Sequence, residues 1–140
     1  MQKLANGVTM GFCLFHIIRL LESMKKLTPF EKGLVAHLVA DWLLQNHWMA
    51  NNKMDLRHPA AWVHALIQFV ALTIALGWRV GFVLGILHLL IDTRVPLSWW
   101  RTFFKQTSDG PSAMHVAIWS DQVVHIASIA GGIALEEYFE

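Results

Sequence analysis

Ala36-His37-Leu38-Val39-Ala40-Asp41-Trp42-Leu43-Leu44-Gln45 is an apolar run whose ionisable side chains, His37 and Asp41, stand four residues apart. On a helix such positions lie about 40° from each other, so both side chains address one object. Three later apolar segments carry a polar pair at the same spacing: His64 with Gln68, His88 with Asp92, and Asp121 with His125. The repetition predicts a helical bundle with one shared interior site.

The composition says where such a bundle sits. The 140 residues suit a single domain. They are 55% hydrophobic and 15% charged, against roughly 25% charged for an average soluble protein, and the missing charge points to lipid. With a net charge of +1 and no basic cluster longer than Lys25-Lys26, the chain has no electrostatic footprint for nucleic acid. A single cysteine, Cys13, excludes an internal disulfide and cysteine-type zinc spacing. Any metal must therefore be held by nitrogen and oxygen.

Residues 8–25 read as an amphipathic helix. Phe12, Phe15, Ile18 and Leu21 cover one side, and His16, Arg19 and Glu22 interrupt the rest. The apolar run is short for about 30 Å of hydrocarbon, which predicts a helix lying in the interface. Lys3 and the apolar residues 7–18 have the look of a signal peptide. Arg19, Glu22, Lys25 and Lys26 follow instead of a small-residue cleavage site, so the segment is expected to be retained. The chain thus divides into an interfacial helix, 1–27, and a four-helix transmembrane domain, 28–140.

Within that domain, Thr28-Pro29-Phe30-Glu31 has the cap, the first-turn proline and the acidic third residue of a helix start. The first helix is expected to run to about Asn51. A polar connector, 51–59, leads to a second helix over 60–76, a tight turn at Gly77-Trp78-Arg79, and a third helix over 80–93. The short turn makes these two antiparallel. His64 and Asp92 are each fourteen residues from Trp78, and Gln68 and His88 are each ten from it. All four are expected at one level, roughly 15–21 Å from the turn. Trp99-Trp100-Arg101-Thr102-Phe103-Phe104-Lys105 mixes aromatic and basic residues as headgroup-level segments do. A fourth helix is expected over 112–135, with small-residue spacings Ala127/Gly131 and Ser128/Gly132 for close packing. The acidic tail, 136–140, is expected to end in water.

Three aspartates in this setting demand a partner, because an uncompensated carboxylate in hydrocarbon costs several kcal/mol or takes up a proton. Seven residues are the candidate ligands: His37, Asp41, His64, His88, Asp92, Asp121 and His125. One zinc uses three or four protein ligands, so seven suit two ions. Zinc, manganese or iron would accept such a donor set. Gln45 and Gln122 are candidates for orienting those ligands or for simple interhelical hydrogen bonds. His16, His47, His58 and His115 lie near expected interfaces and read as solvated or facing headgroups.

From about Gly33 to Leu135 the chain resembles a family of small bacterial and phage membrane proteins catalogued as domain of unknown function 3307. The resemblance rests on residues 36–45 quoted above, Lys53, His64, His88-Leu89-Leu90-Ile91-Asp92 and Asp121-Gln122-Val123-Val124-His125. It implies an integral membrane protein whose polar residues form a site, and it implies no activity. The N-terminal helix lies outside it.

Three functions use such residues. The leading expectation is a metal-dependent hydrolase of the bacterial inner membrane, acting on a phosphate-containing lipid or small molecule, with membrane lipid as its surroundings. The second is a non-catalytic membrane subunit, in which the same residues bind a structural metal or form a polar network. Its partner would be a second copy or another membrane-complex subunit. The third is ion or proton translocation, which needs a polar path continuing toward Trp78.

Overall fold

The computed structural model describes residues 26–106 and 109–139, and the expected interfacial helix at 8–25 lies outside them. The described chain is helical, with no strand. Its elements are α1 (Pro29–Leu38), a π-helical turn (Val39–Leu43), α2 (His47–Asn52), α3 (Pro59–Leu76), α4 (Trp78–Asp92), α5 (Val95–Phe103) and α6 (Ala113–Phe139).

The start of α1 forms the reciprocal cap its sequence predicts. The Glu31 amide donates to Thr28 Oγ1, and the Glu31 carboxylate accepts from the Thr28 amide and hydroxyl at 2.7 and 2.8 Å. These bonds hold the exposed Glu31 carboxyl below its usual pKa, the Thr28 backbone bond first. The expected single helix to Asn51 does not form. The Leu44 amide bonds to the Val39 carbonyl, five residues back, and the chain then breaks at 44–46. Asn46 restarts it by accepting the Met49 amide at 3.0 Å, so the asparagine serves as the cap of α2 rather than as an interior helix residue. The wider turn also re-aims Asp41 relative to His37, the usual consequence of one extra residue in a helical turn.

Between α3 and α4 the connection is Gly77 alone, at φ 91° and ψ 164°, a conformation open essentially only to glycine. The two helices then run antiparallel in close backbone contact. A Cβ on Gly81 would lie 2.6 Å from Thr73 Cα, and one on Gly85 would lie 3.3 Å from Phe69 Cα. A small apolar core fills the turn end of this hairpin, where Leu72, Val80, Leu84 and Ile129 are buried together. Two further glycines admit neighbours here: Gly33 faces Leu76 and Ile129, and Gly132 faces Leu84. Of the two small-residue rows on α6, only Ser128/Gly132 is used for packing, since a Cβ on Gly131 would meet nothing within 4 Å.

Away from that core the molecule is inside out. Ile74 is 82% exposed, and Leu43, Trp62, Leu66 and Trp119 also face outward, while His64 is 0% exposed and Asp41, Asp92 and His125 are buried. Two helices, α3 and α6, are long and apolar enough to cross a membrane. The pair α4 and α5 would make a third if counted as one span bent by 61°. That bend passes through Arg94, which takes a left-handed conformation at φ 58°. In α5 the rings of Trp99 and Phe103 stack, and only Leu97 is buried. The expected four long spans are thus reduced: residues 29–52 form two short helices. At the far end α6 continues through Glu136 and Glu137 to Phe139, so the acidic stretch is helical and not a detached tail.

Candidate metal centre

At the open end of the α3/α4 hairpin, opposite the apolar core, three elements deliver four polar side chains to one point. Asp41 arrives from the π-helical turn, His64 from α3, and His88 with Asp92 from the last turns of α4. His64 Nε2 lies 3.1 Å from Asp41 Oδ1, 3.2 Å from Asp92 Oδ2 and 3.1 Å from His88 Nε2. His88 Nε2 is in turn 3.1 Å from Asp92 Oδ2. One donor atom from each of these four buried residues lies within 4.8 Å of all the others. A tetrahedral ion with bonds of roughly 2.0–2.1 Å separates its ligand atoms by about 3.3–3.4 Å. Four of the six edges, at 3.1–3.2 Å, are close to that length, and all lie within 4.8 Å, so the donor set could hold a divalent ion.

A cation already stands among these ligands. Lys53, in the connector after α2, places Nζ 2.8 Å from Asp41 Oδ1, 3.0 Å from Asp92 Oδ1 and 3.3 Å from His64 Nε2. Burial works against its ammonium, but the carboxylates of Asp92 and Asp41 outweigh it and hold the lysine pKa above its ordinary value. Lys53 was not among the expected ligands. The signal was present in the charge count, because aspartates buried together require a nearby positive charge, and the polar connector 51–59 holds a lysine, Lys53.

Asp41 is held from its other side. Gln122 Nε2 donates to Asp41 Oδ2 at 2.9 Å, and Gln122 Oε1 accepts from Trp42 Nε1 at 3.4 Å. Gln122 is therefore an orienting partner of a candidate ligand, whereas the buried Gln45 Oε1 has no hydrogen-bond partner. Gln68 is buried but does not join the cluster: its amide donates to the His37 carbonyl at 3.3 Å and ties α3 to α1.

The remaining candidates line the deeper wall. His125 Nδ1 sits 2.9 Å from the Asp121 carbonyl oxygen, which can only accept, so Nδ1 carries the proton. In the neutral ring Nε2 then keeps its lone pair. That atom is buried without a hydrogen-bond partner, 3.8 Å from Asp92 Oδ1. This is the tautomer a ligating histidine takes. His37 stacks on His125 with centroids 5.1 Å apart and meets His88 edge-on at 5.4 Å, and its Nε2 is also buried and unpartnered. Asp121 is buried with Oδ1 unpartnered, and its Oδ2 lies 3.9 Å from His125 Nδ1. The seven expected ligands thus separate into a tight group of Asp41, His64, His88 and Asp92, and an adjoining group of His37, Asp121 and His125.

Two peripheral histidines have local duties. His58 caps α3 by accepting the Ala60 amide at 3.1 Å, and His47 pairs with Asn51 at 2.8 Å.

Comparison with curated proteins and with solved structures returns no match. The family comparison does match: the model described as protein of unknown function (DUF3307) covers residues 30–136, a span that includes all seven candidates, Lys53 and Gln122. The chain belongs to that family.

Proposed function

We propose that this chain is an integral, all-helical membrane protein of the bacterial inner membrane that uses a divalent transition metal to hydrolyse a phosphate-containing lipid or small molecule. The observation that carries the reading is the convergence of Asp41, His64, His88 and Asp92 on one buried point, with donor atoms within 4.8 Å of one another and four of the edges at 3.1–3.2 Å. Zinc, manganese and iron all suit two imidazoles and two carboxylates. A second ion would draw its donors from the adjoining His37, Asp121 and His125, of which His125 Nε2 lies 3.8 Å from Asp92 Oδ1. A divalent ion held by Asp41, His64, His88 and Asp92 would supply Lewis acidity toward a phosphoryl oxygen and acidify water at the site. Hydrolysis would form one P–O bond to the oxygen of water and break the ester P–O bond, with the leaving oxygen taking up the water's proton.

A second reading is favoured by Lys53. Its ion pairs with Asp41 and Asp92 neutralise part of the buried charge without any metal, and a non-catalytic subunit would use such a network to lock its helices. Translocation fits less well, because the side of the cluster toward Gly77 is closed by Leu72, Val80, Leu84 and Ile129.

Elemental analysis of the purified protein separates the two readings. The hydrolase reading expects one to two equivalents of a transition metal, lost in the double variant His88→Ala, Asp92→Ala, together with metal-dependent release of phosphate from a panel of phosphoesters. A folded wild-type protein that takes up no metal would leave the polar network as the account of the cluster.

A further inference from the structure

Lys53 reaches the cluster from the connector after α2, whereas His64, His88 and Asp92 reach it from the long helices α3 and α4. It sits at the C-terminal end of the six-residue α2, ahead of the turns that lead to Pro59. Its side chain is 10% exposed, against 4% for Asp41, 2% for Asp92 and 0% for His64, which puts it at the outer edge of the site. Nζ lies 2.8–3.3 Å from Asp41 Oδ1, Asp92 Oδ1 and His64 Nε2, all on residues that offer ligand atoms. An ion bonded to those residues at roughly 2.0–2.2 Å would occupy nearly the same locus. An ammonium and a divalent cation cannot share it, on grounds of both volume and charge. The lysine stem is flexible and its ammonium is a compact point charge, so it can leave the carboxylates without moving a helix.

We infer that Lys53 is an exchangeable cation: it occupies the carboxylates of Asp41 and Asp92 until a divalent ion takes them, and is then turned outward, to the side of its exposed connector 54–57, where it binds the phosphate oxygens of the substrate. The inference rests on the metal-dependent reading above and adds to it the group that recognises the anion. It makes Lys53 a competitor of the metal and a partner of the phosphate, two roles that one substitution moves in opposite directions.

The test uses the full chain purified in detergent, with Co²⁺ and inorganic phosphate as probes and calorimetry as the readout. Lys53→Met is expected to bind Co²⁺ at least tenfold more tightly than wild type, and its Co²⁺-loaded form to bind phosphate at least tenfold more weakly. Lys53→Arg keeps the charge and is expected to show no tightening toward Co²⁺. A measurement on the wild type needs no variant: reductive methylation of Lys53, followed by mass spectrometry, is expected to speed up several-fold on Co²⁺ loading. Co²⁺ binding by the wild type with Lys53 methylation unchanged would overturn the exchange while leaving the metal site standing. Tighter Co²⁺ but unaltered phosphate binding in Lys53→Met would overturn the recognition role. Failure of folded wild type and both variants to bind Co²⁺ would overturn this inference and the metal-dependent reading together.

Discussion

A buried carboxylate is useful to a metal only if its oxygens point the right way, and at Asp41 that orientation is set by a neighbour on another helix. Gln122 takes Asp41 Oδ2 and leaves Oδ1 facing Lys53 and His64. Replacing Gln122 with the similarly shaped Leu removes the donor without opening space. Loss of an orienting partner of this kind weakens metal affinity by about 10–100-fold. The expected outcome for Gln122→Leu is therefore Co²⁺ binding weakened within that range, with helical circular dichroism unchanged. Affinity equal to wild type would mean that Asp41 is held without Gln122. The roles of the two glutamines differ for a reason outside their local sequence: Gln45 follows the π-helical turn and its Oε1 is left without a hydrogen-bond partner, whereas Gln122 lies one residue after Asp121 on α6 and meets Asp41 across the bundle. His37 and Asp41 show the same limit. Their four-residue spacing reads as one helical face, but the π-helical turn separates them, and His37 goes to the ring of His125 while Asp41 goes to Lys53.

Among the elements, the α3/α4 hairpin does most to place the site, and its register is set by glycine. Gly81 and Gly85 let α4 approach the backbone of α3 at Thr73 and Phe69, and that approach carries His88 and Asp92 to His64. Gly81→Ala places a methyl 2.6 Å from Thr73 Cα, which is backbone and cannot swing aside. Thermal denaturation is expected to show a clear loss of stability and, because the hairpin is forced apart, weaker Co²⁺ binding. Gly131→Ala is the matched control, since its methyl would meet nothing within 4 Å. There the helix-propensity gain of Ala over Gly, about 0.5–1 kcal/mol, should appear as a small rise in melting temperature. Equal behaviour of the two variants would contradict the close hairpin packing.

Across the whole molecule the distribution of polarity is inverted, with exposed apolar side chains around a buried cluster of histidines, aspartates and one lysine. Such an interior is held together less by apolar burial than by satisfaction of its charges, so a bound ion should stabilise the fold as a whole. A ligand at 100 times its dissociation constant adds about 2.7 kcal/mol to a protein that binds it only when folded. Wild type in detergent is expected to melt higher with Co²⁺ and lower with a chelator, and His88→Ala, Asp92→Ala to show neither shift. The stabilisation should fade as pH falls, because protons compete with the ion for imidazole and carboxylate. An ion that leaves the wild-type melting temperature unchanged would speak against a site at the centre of the fold.

Local chemistry decided much of this protein by itself. The cap at Thr28-Pro29-Phe30-Glu31, the break at Gly77, the extents of α3 and α4 to within a few residues, and the membership of His64, His88 and Asp92 in one level follow from short-range rules of capping, conformation and helical rise. Tertiary structure decided the rest. Residues 39–46 do not continue a helix: a π-helical turn and an asparagine cap intervene, and the same stretch brings Asp41 to Lys53. The choice of Lys53 as the counter-charge, of Gln122 over Gln45 as the orienting amide, and of Gly132 over Gly131 as the packing glycine each depends on what lies across the bundle. Periodicity reports which side chains share a face of one helix. It carries no information on which face of which other helix they meet, and for buried charges that meeting sets their chemistry.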